Sequence, residues 1–223
     1  MSKFDFRLFR QNVKEHFEVV KFTYPSDSIN TIANNILPIL VIGYFAKSEV
    51  CLYLMAFKIL STPLLIITSS VSRVYFQKSV TLFHQDKKGL EQLTFRVIYS
   101  NLGLMLLFVL FMNSVGVYLL DILLKDDWKD LGKYILLLSF WILARSTFNP
   151  IASILMVIKK NHYSLVFNIY LLLVNLIAVY LGIMTGDFTK CVLTFSVLSG
   201  IGYVMLTILI LVILNRFKKK NEA

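Results

Sequence analysis

Residues 50–72, VCLYLMAFKILSTPLLIITSSVS, decide the fold. Lys58 is the only charged residue among them. At about 1.5 Å per residue the run makes a helix of roughly 34 Å, long enough to cross a hydrocarbon core of about 30 Å. Pro63 near its centre would end a strand or a soluble helix, yet membrane helices tolerate it. The reading is a transmembrane helix with a cation in its interior.

Runs of the same kind recur outward from this one. Six spans are expected, at Ser28–Phe45, Val50–Ser72, Val97–Leu120, Tyr134–Ile158, Ser164–Thr185 and Thr189–Asn215. Spans two and three should continue beyond the membrane as a helical pair, turning at Asp86-Lys87-Lys88-Gly89. The composition agrees: 57% of the 223 residues are apolar and mean hydropathy is +0.70, above the near-half of soluble domains. The runs do not alternate in polarity, which argues against a membrane barrel. The expected fold is therefore all-α integral membrane, a six-transmembrane-helix bundle. Its parts are an amphipathic connector over 1–23, a six-span lobe over 24–215 and a basic tail over 216–223.

Charge sets the orientation. The net charge is +10, and no nucleic-acid-binding motif accompanies it, so nucleic acid is not an expected partner. Sixteen of the 23 Lys and Arg fall on one side of the bundle, in 3–21, 73–96, 159–160 and 216–220. Basic loops stay in the cytoplasm, so both termini are expected there. Phe6, Phe9, Val13, Phe17 and Val20 share one helical face among basic residues. That pattern suits either a helix on the inner membrane surface or a connector packed on another domain. Asp121, Asp126, Asp127 and Asp130 surround Trp128 in an acidic outer loop, read as solvated with an interfacial Trp. Gly182 and Gly186 carry a weak small-xxx-small packing signal.

The chemistry lies with polar residues inside the spans. Lys58 is about 13 Å and Arg145 about 16 Å from the outer ends of their helices at helical rise. A cation at mid-membrane costs about 2.5–3.5 kcal/mol even on insertion scales, and such residues commonly face a bundle interior or watery cavity. No carboxylate lies at similar depth, since Asp27 and Glu49 sit at span ends. Two unmatched cations point to an anionic ligand. Asn34, Asn35 and Asn175 fall at comparable depth, and Arg145, Asn149 and Ser153 step along one face. Lys58, Thr62, Ser69 and Arg73 line another, and Asn168 and Asn175 a third. These stripes are expected to converge on one cavity, although such Asn residues also serve simply to join helices. Pro38, Pro63 and Pro150 favour kinks beside it. Cys51 and Cys191 are far apart, and His16, His84 and His162 sit in polar connections. Neither set has metal-ligand spacing, and no cofactor is expected.

Several stretches resemble the bacterial polysaccharide exporters, the lipid-linked oligosaccharide flippases of the multidrug/oligosaccharidyl-lipid/polysaccharide superfamily. They are Tyr24-Pro25, the segment Tyr53 to Pro63, Val74-Tyr75-Phe76-Gln77, and Trp141 through Arg145 to Pro150. The resemblance covers about Tyr24 to the end of span five, and order and spacing carry it rather than any one motif. It implies one C-terminal lobe of a transporter with twelve or more spans. The first 23 residues would match the connector between lobes. It also implies that Lys58 and Arg145 contact the diphosphate or acidic sugars of an undecaprenyl-linked unit during synthesis of O-antigen, capsule or other surface polysaccharide. The partners implied are that substrate, membrane lipid, and an N-terminal lobe or second copy of the chain. The expected setting is the bacterial inner membrane. Any coupling ion falls to the other lobe, to Asp27, or to neither. Half a cavity should not act alone, which leaves a fragment, a split gene, a truncated product or one part of a dimer. A truncated inactive remnant or scaffold is the main alternative, and a membrane enzyme of polysaccharide assembly is the lesser one.

Overall fold

The computed structural model describes residues 19–124, 128 and 130–222. The expected amphipathic helix over 1–23 therefore falls almost wholly outside the described residues, as do Asp126 and Asp127 of the acidic loop. Helix dominates, and no strand occurs among the described residues.

A π-helical turn, Val19–Thr23, leads into α1, Tyr24–Ile42, with Pro25 in its first turn, where its missing N–H costs nothing. After a short turn comes α2, Lys47–Gln85, unbroken through Pro63. Only Asp86, in extended conformation, separates it from α3, Lys87–Phe111. The helical pair and its turn thus fall where the sequence puts them. A π-helical turn at Met112–Gly116 joins α3 to α4, Val117–Leu124, in one rod. Next come α5, Leu131–Phe148, a 3-10 segment at Asn149–Ser153, and α6, Ile154–Val157. The bundle ends with α7, Asn161–Thr185, and α8, Phe188–Glu222, which runs on through Lys218, Lys219 and Lys220.

Six rods result, and five are long and apolar enough to cross a membrane: Lys47–Phe83, Lys88–Leu120, Leu131–Val157, Asn161–Thr185 and Phe188–Phe217. The exception is α1. Its 19 residues make about 28 Å, but Ser26, Asp27, Asn30, Thr31, Asn34 and Asn35 crowd its first half. Those groups make α1 too polar to be lipid-coated like the others. It packs instead mainly on α7.

The rods run between two ends. One carries the turns at Gly43 and Gly186, the other the turn at Asp86. α5 is central: 56% of its most apolar stretch is buried, against 17% for the α3–α4 rod, whose Leu107, Leu110 and Tyr118 point outward. Towards the Gly186 end, Phe188 meets Phe45, Tyr53 and Tyr134 with ring centroids 5.0–5.8 Å apart. Towards the Asp86 end, a second core gathers Tyr75, Leu90, Ile154, Leu155 and Ile210. α2 packs mainly on α5, and α1 on α7, so α1 and α2 have little direct contact with each other.

Two glycines have different roles. A side chain on Gly182 would strike the Cβ of Cys191 at 2.6 Å, so α7 and α8 approach closely there. Gly186 instead adopts φ +64°, capping α7 in the left-handed region that favours glycine. The small-xxx-small pattern therefore reduces to one packing glycine and one cap.

A polar clasp joins α1 to α7. The buried Asn168 amide donates to the Ser26 carbonyl (3.0 Å) and hydroxyl (2.8 Å), and the Ser26 hydroxyl lies 3.1 Å from that of Ser164. Interhelical bonds of this kind contribute about 0.6 kcal/mol on average and up to about 1.7. Asn168→Leu should therefore lower stability by roughly 1–2 kcal/mol in reversible unfolding from mixed micelles. Asn35→Leu, at an exposed amide bonded only within its own helix, should change it by less than about 0.5 kcal/mol.

Candidate functional site

Arg145 lies near the end of α5, one turn before the 3-10 segment that Pro150 imposes by removing an α-helical donor. Its guanidinium carbon is 5.0 Å from the centroid of the Trp141 ring. Trp141 stacks on Phe57 (5.0 Å, 23°) and tilts against Phe195 (5.3 Å, 48°). The aromatic layer holds the cation in place, an attraction worth about 0.5–2 kcal/mol. Among the described residues, neither Arg145 nor Lys58 has a carboxylate partner, and the resolved ion pair joins Lys190 to Asp187 at 3.9 Å. Its charge is left for something else.

Arg145 borders a cavity of about 50 Å³ with Ser61, Thr68, Ser146 and Asn149. The Ser61 hydroxyl donates to the Phe57 carbonyl (2.6 Å) and that of Thr68 to the Leu64 carbonyl (2.8 Å). Those two hydroxyl protons are engaged, which leaves the Arg145 guanidinium, the Asn149 amide and the Ser146 hydroxyl as donors able to meet an anion here. A planar guanidinium fork suits a phosphate in particular. Lys58 is exposed on α2, one turn before Ser61 and two before Leu65, two residues of the cavity wall. It thus stands beside the Arg145 cavity, towards the Gly186 end.

The expected single cavity is instead divided. Asn34 and Asn175 come together around a separate space of about 10 Å³, walled by Phe57 and Trp141. The aromatic layer that supports Arg145 separates the two. Asn175 is buried, with its amide donating to the Leu171 carbonyl (2.7 Å) and its carbonyl oxygen unpartnered. Asn34 donates to the Asn30 backbone and side-chain oxygens at 2.8 and 2.9 Å. Asn35 is exposed and bonds to the Thr31 carbonyl at 2.7 Å. The structure also adds Tyr53 and Ser199, whose hydroxyls are buried and unpartnered in the same small space. Three unpartnered polar atoms around room for about one water make a hydration site by size and chemistry. Sequence gave no signal for this, because Tyr53 and Ser199 look like ordinary span residues.

Asn149 also borders a larger polar cavity of about 220 Å³ between α1, α6 and α7, together with Asn30, Asn161, Asn168 and Ser153. The stripe Arg145–Asn149–Ser153 therefore connects two spaces. The 3-10 turn at Asn149 shifts the helical stepping, so Ser153 faces the second space and not the first. Among the described residues, no group of three or more His, Cys, Asp or Glu is arranged to hold a metal ion.

A family model described as polysaccharide biosynthesis protein matches residues 1–133, more than half of the 223. The chain belongs to that family. No curated protein and no solved structure matches it. It is thus a helical membrane protein of polysaccharide biosynthesis. The matched stretch contains Asn34, Asn35 and Lys58, while Arg145, Asn149 and Asn175 lie beyond it.

The placement of Lys58 can be tested by chemistry. With Cys51 and Cys191 replaced by Ser, Lys58→Cys should react with a membrane-impermeant maleimide, as a residue on a watery cleft does. Protection from that reagent would place residue 58 against lipid or a closed partner surface.

Proposed function

We propose that this lobe is one half of a flippase that moves undecaprenyl-diphosphate-linked oligosaccharide across the bacterial inner membrane. One observation carries the reading: the half-buried Arg145, midway along an apolar rod, is held on Trp141 beside a cavity, with no carboxylate partner among the described residues. A cation in hydrocarbon without a counter-ion is costly unless its ligand supplies the charge. A diphosphate would do so, with the Asn149 amide as second donor and the exposed Lys58 on the neighbouring turn of α2. The lipid tail can stay in the bilayer while the polar head crosses, so the protein need only shield the head group.

The cavity at Arg145 suits an alternating-access mechanism. A second lobe, either an N-terminal half or another copy of this chain, would complete a central cavity, and rocking of the two lobes would open it to each side in turn. Both termini would lie in the cytoplasm, with the Asp86 turn on the same side. The basic segments at that end support this orientation. Family membership supports the pathway, and the unmatched cation supports the ligand.

The test is complementation in a strain lacking an oligosaccharide flippase, scored by surface polysaccharide, with the chain expressed alone and with an N-terminal lobe. Export should return only with the lobe. Arg145→Ala should then reduce it about 10- to 100-fold, the loss expected from a charge-assisted hydrogen bond. Arg145→Lys should retain part of it. Full export by Arg145→Ala at normal abundance would reject the diphosphate role. No export in any combination, with the protein present in the membrane, would favour an inactive remnant.

A further inference from the structure

The cavity of about 220 Å³ near the Asp86 end has a chemistry of its own. Four carboxamides border it, from Asn30, Asn149, Asn161 and Asn168, along with several hydroxyls and the Phe167 side chain. Asp27 is the one charged residue in its lining, and no Lys, Arg or His is present there. The Arg145 cavity, by contrast, has a cation and no carboxylate. Two neighbouring spaces that share Asn149 thus differ in electrostatic character.

Hydrogen-bonding capacity in this cavity is only partly used. Asn168 is tied to Ser26, and Asn30 accepts from Asn34. Asn161 is buried at 7% exposure, yet among the described residues its amide has no side-chain hydrogen bond; the Asn149 amide, also without one, is exposed. The Thr23 hydroxyl is buried and unpartnered at the rim. Buried amides normally find partners. These can each donate and accept, which matches a ligand that carries donors and acceptors on every carbon.

We infer that this cavity is a binding subsite for one neutral sugar ring. The volume is far above the roughly 10–15 Å³ that one water needs. An aromatic side chain together with amides and hydroxyls in one lining suits both the apolar face and the polar edge of a pyranose. The Asp27 carboxylate disfavours uronic acids and other anionic sugars. That this ring is the first sugar of a lipid-linked glycan, with its diphosphate at Arg145 one helical turn away, rests on the flippase reading. Binding of a free neutral sugar does not.

The test uses saturation-transfer difference NMR on the full chain in lipid nanodiscs, with methyl glucoside, methyl N-acetylglucosaminide and methyl glucuronide as probes. The neutral glycosides should give signals, and the glucuronide should bind up to about fivefold more weakly, as expected for one exposed charge. Asn161→Leu should weaken the neutral signals about tenfold, the upper range for a lost hydrogen bond. Ala152→Leu, which fills the cavity wall with methyl groups, should abolish them with the fold intact by circular dichroism. Asp27→Asn should raise the glucuronide signal to that of the neutral probes.

Absent neutral signals, signals that survive both Asn161→Leu and Ala152→Leu, or equal binding of glucuronide to the unaltered chain would each overturn the subsite. The readout requires no transport. A positive sugar signal with failed complementation would therefore count against the flippase reading alone, and export without sugar binding would count against the subsite alone.

Discussion

Hydrocarbon offers no hydrogen bonds, and that constraint organises this molecule. Backbone groups are satisfied by helix, and side chains follow the same rule. Thr31, Asn34, Asn35, Ser61, Thr68, Ser139, Asn175 and Thr207 all donate to a carbonyl one turn earlier in their own helix. A polar side chain satisfied in this way makes little demand on neighbouring helices. The exceptions are therefore informative. Asn168 reaches across to α1, the Tyr170 hydroxyl donates to the Leu198 carbonyl of α8 (2.8 Å), and the Asn113 amide to the Ser139 hydroxyl of α5 (2.7 Å). Among the described residues Arg145 has no polar partner of this kind and is held by an aromatic ring.

Packing then determines which polar groups meet. The layer of Phe57, Trp141 and Phe195 lies between the Asn175 space and the Arg145 space. Because all three rings are large and interlock, they divide what would otherwise be one polar interior. The result is a small closed space, a cationic pocket, and an amide-rich chamber nearer the Asp86 end. Asn149 connects the last two because the backbone changes helix type at that residue.

Much of the architecture was legible in sequence because it rests on length and hydropathy. The spans, the long α2–α3 pair and its turn at Asp86 all follow from where apolar runs stop. The weak hydropathy of α1 was also visible in its asparagines, though its clasp to α7 was not. The π-helical turn at Met112–Gly116 left no mark, because Asn113, Ser114 and Gly116 sit in an otherwise ordinary apolar run. For the site, residue type showed which groups are unusual, as with Lys58 and Arg145. It did not show grouping, because equal depth on different helices does not mean shared space. Asn34 and Arg145 lie at similar depth by count and belong to different cavities.

The length of α2 has a mechanical consequence. Its 39 residues make about 58 Å, nearly twice a hydrocarbon core. Packing against α5 braces the rod, and from Pro63 to Gln85 it extends about 33 Å further. Proline weakens a helix against bending at one point. A bend of about 10° there would sweep the far tip through about 6 Å, carrying the base of α3 with it through the single residue Asp86. The pair is a lever pivoted at Pro63, so any contact with its tip gains leverage over the packing of α2 on α5.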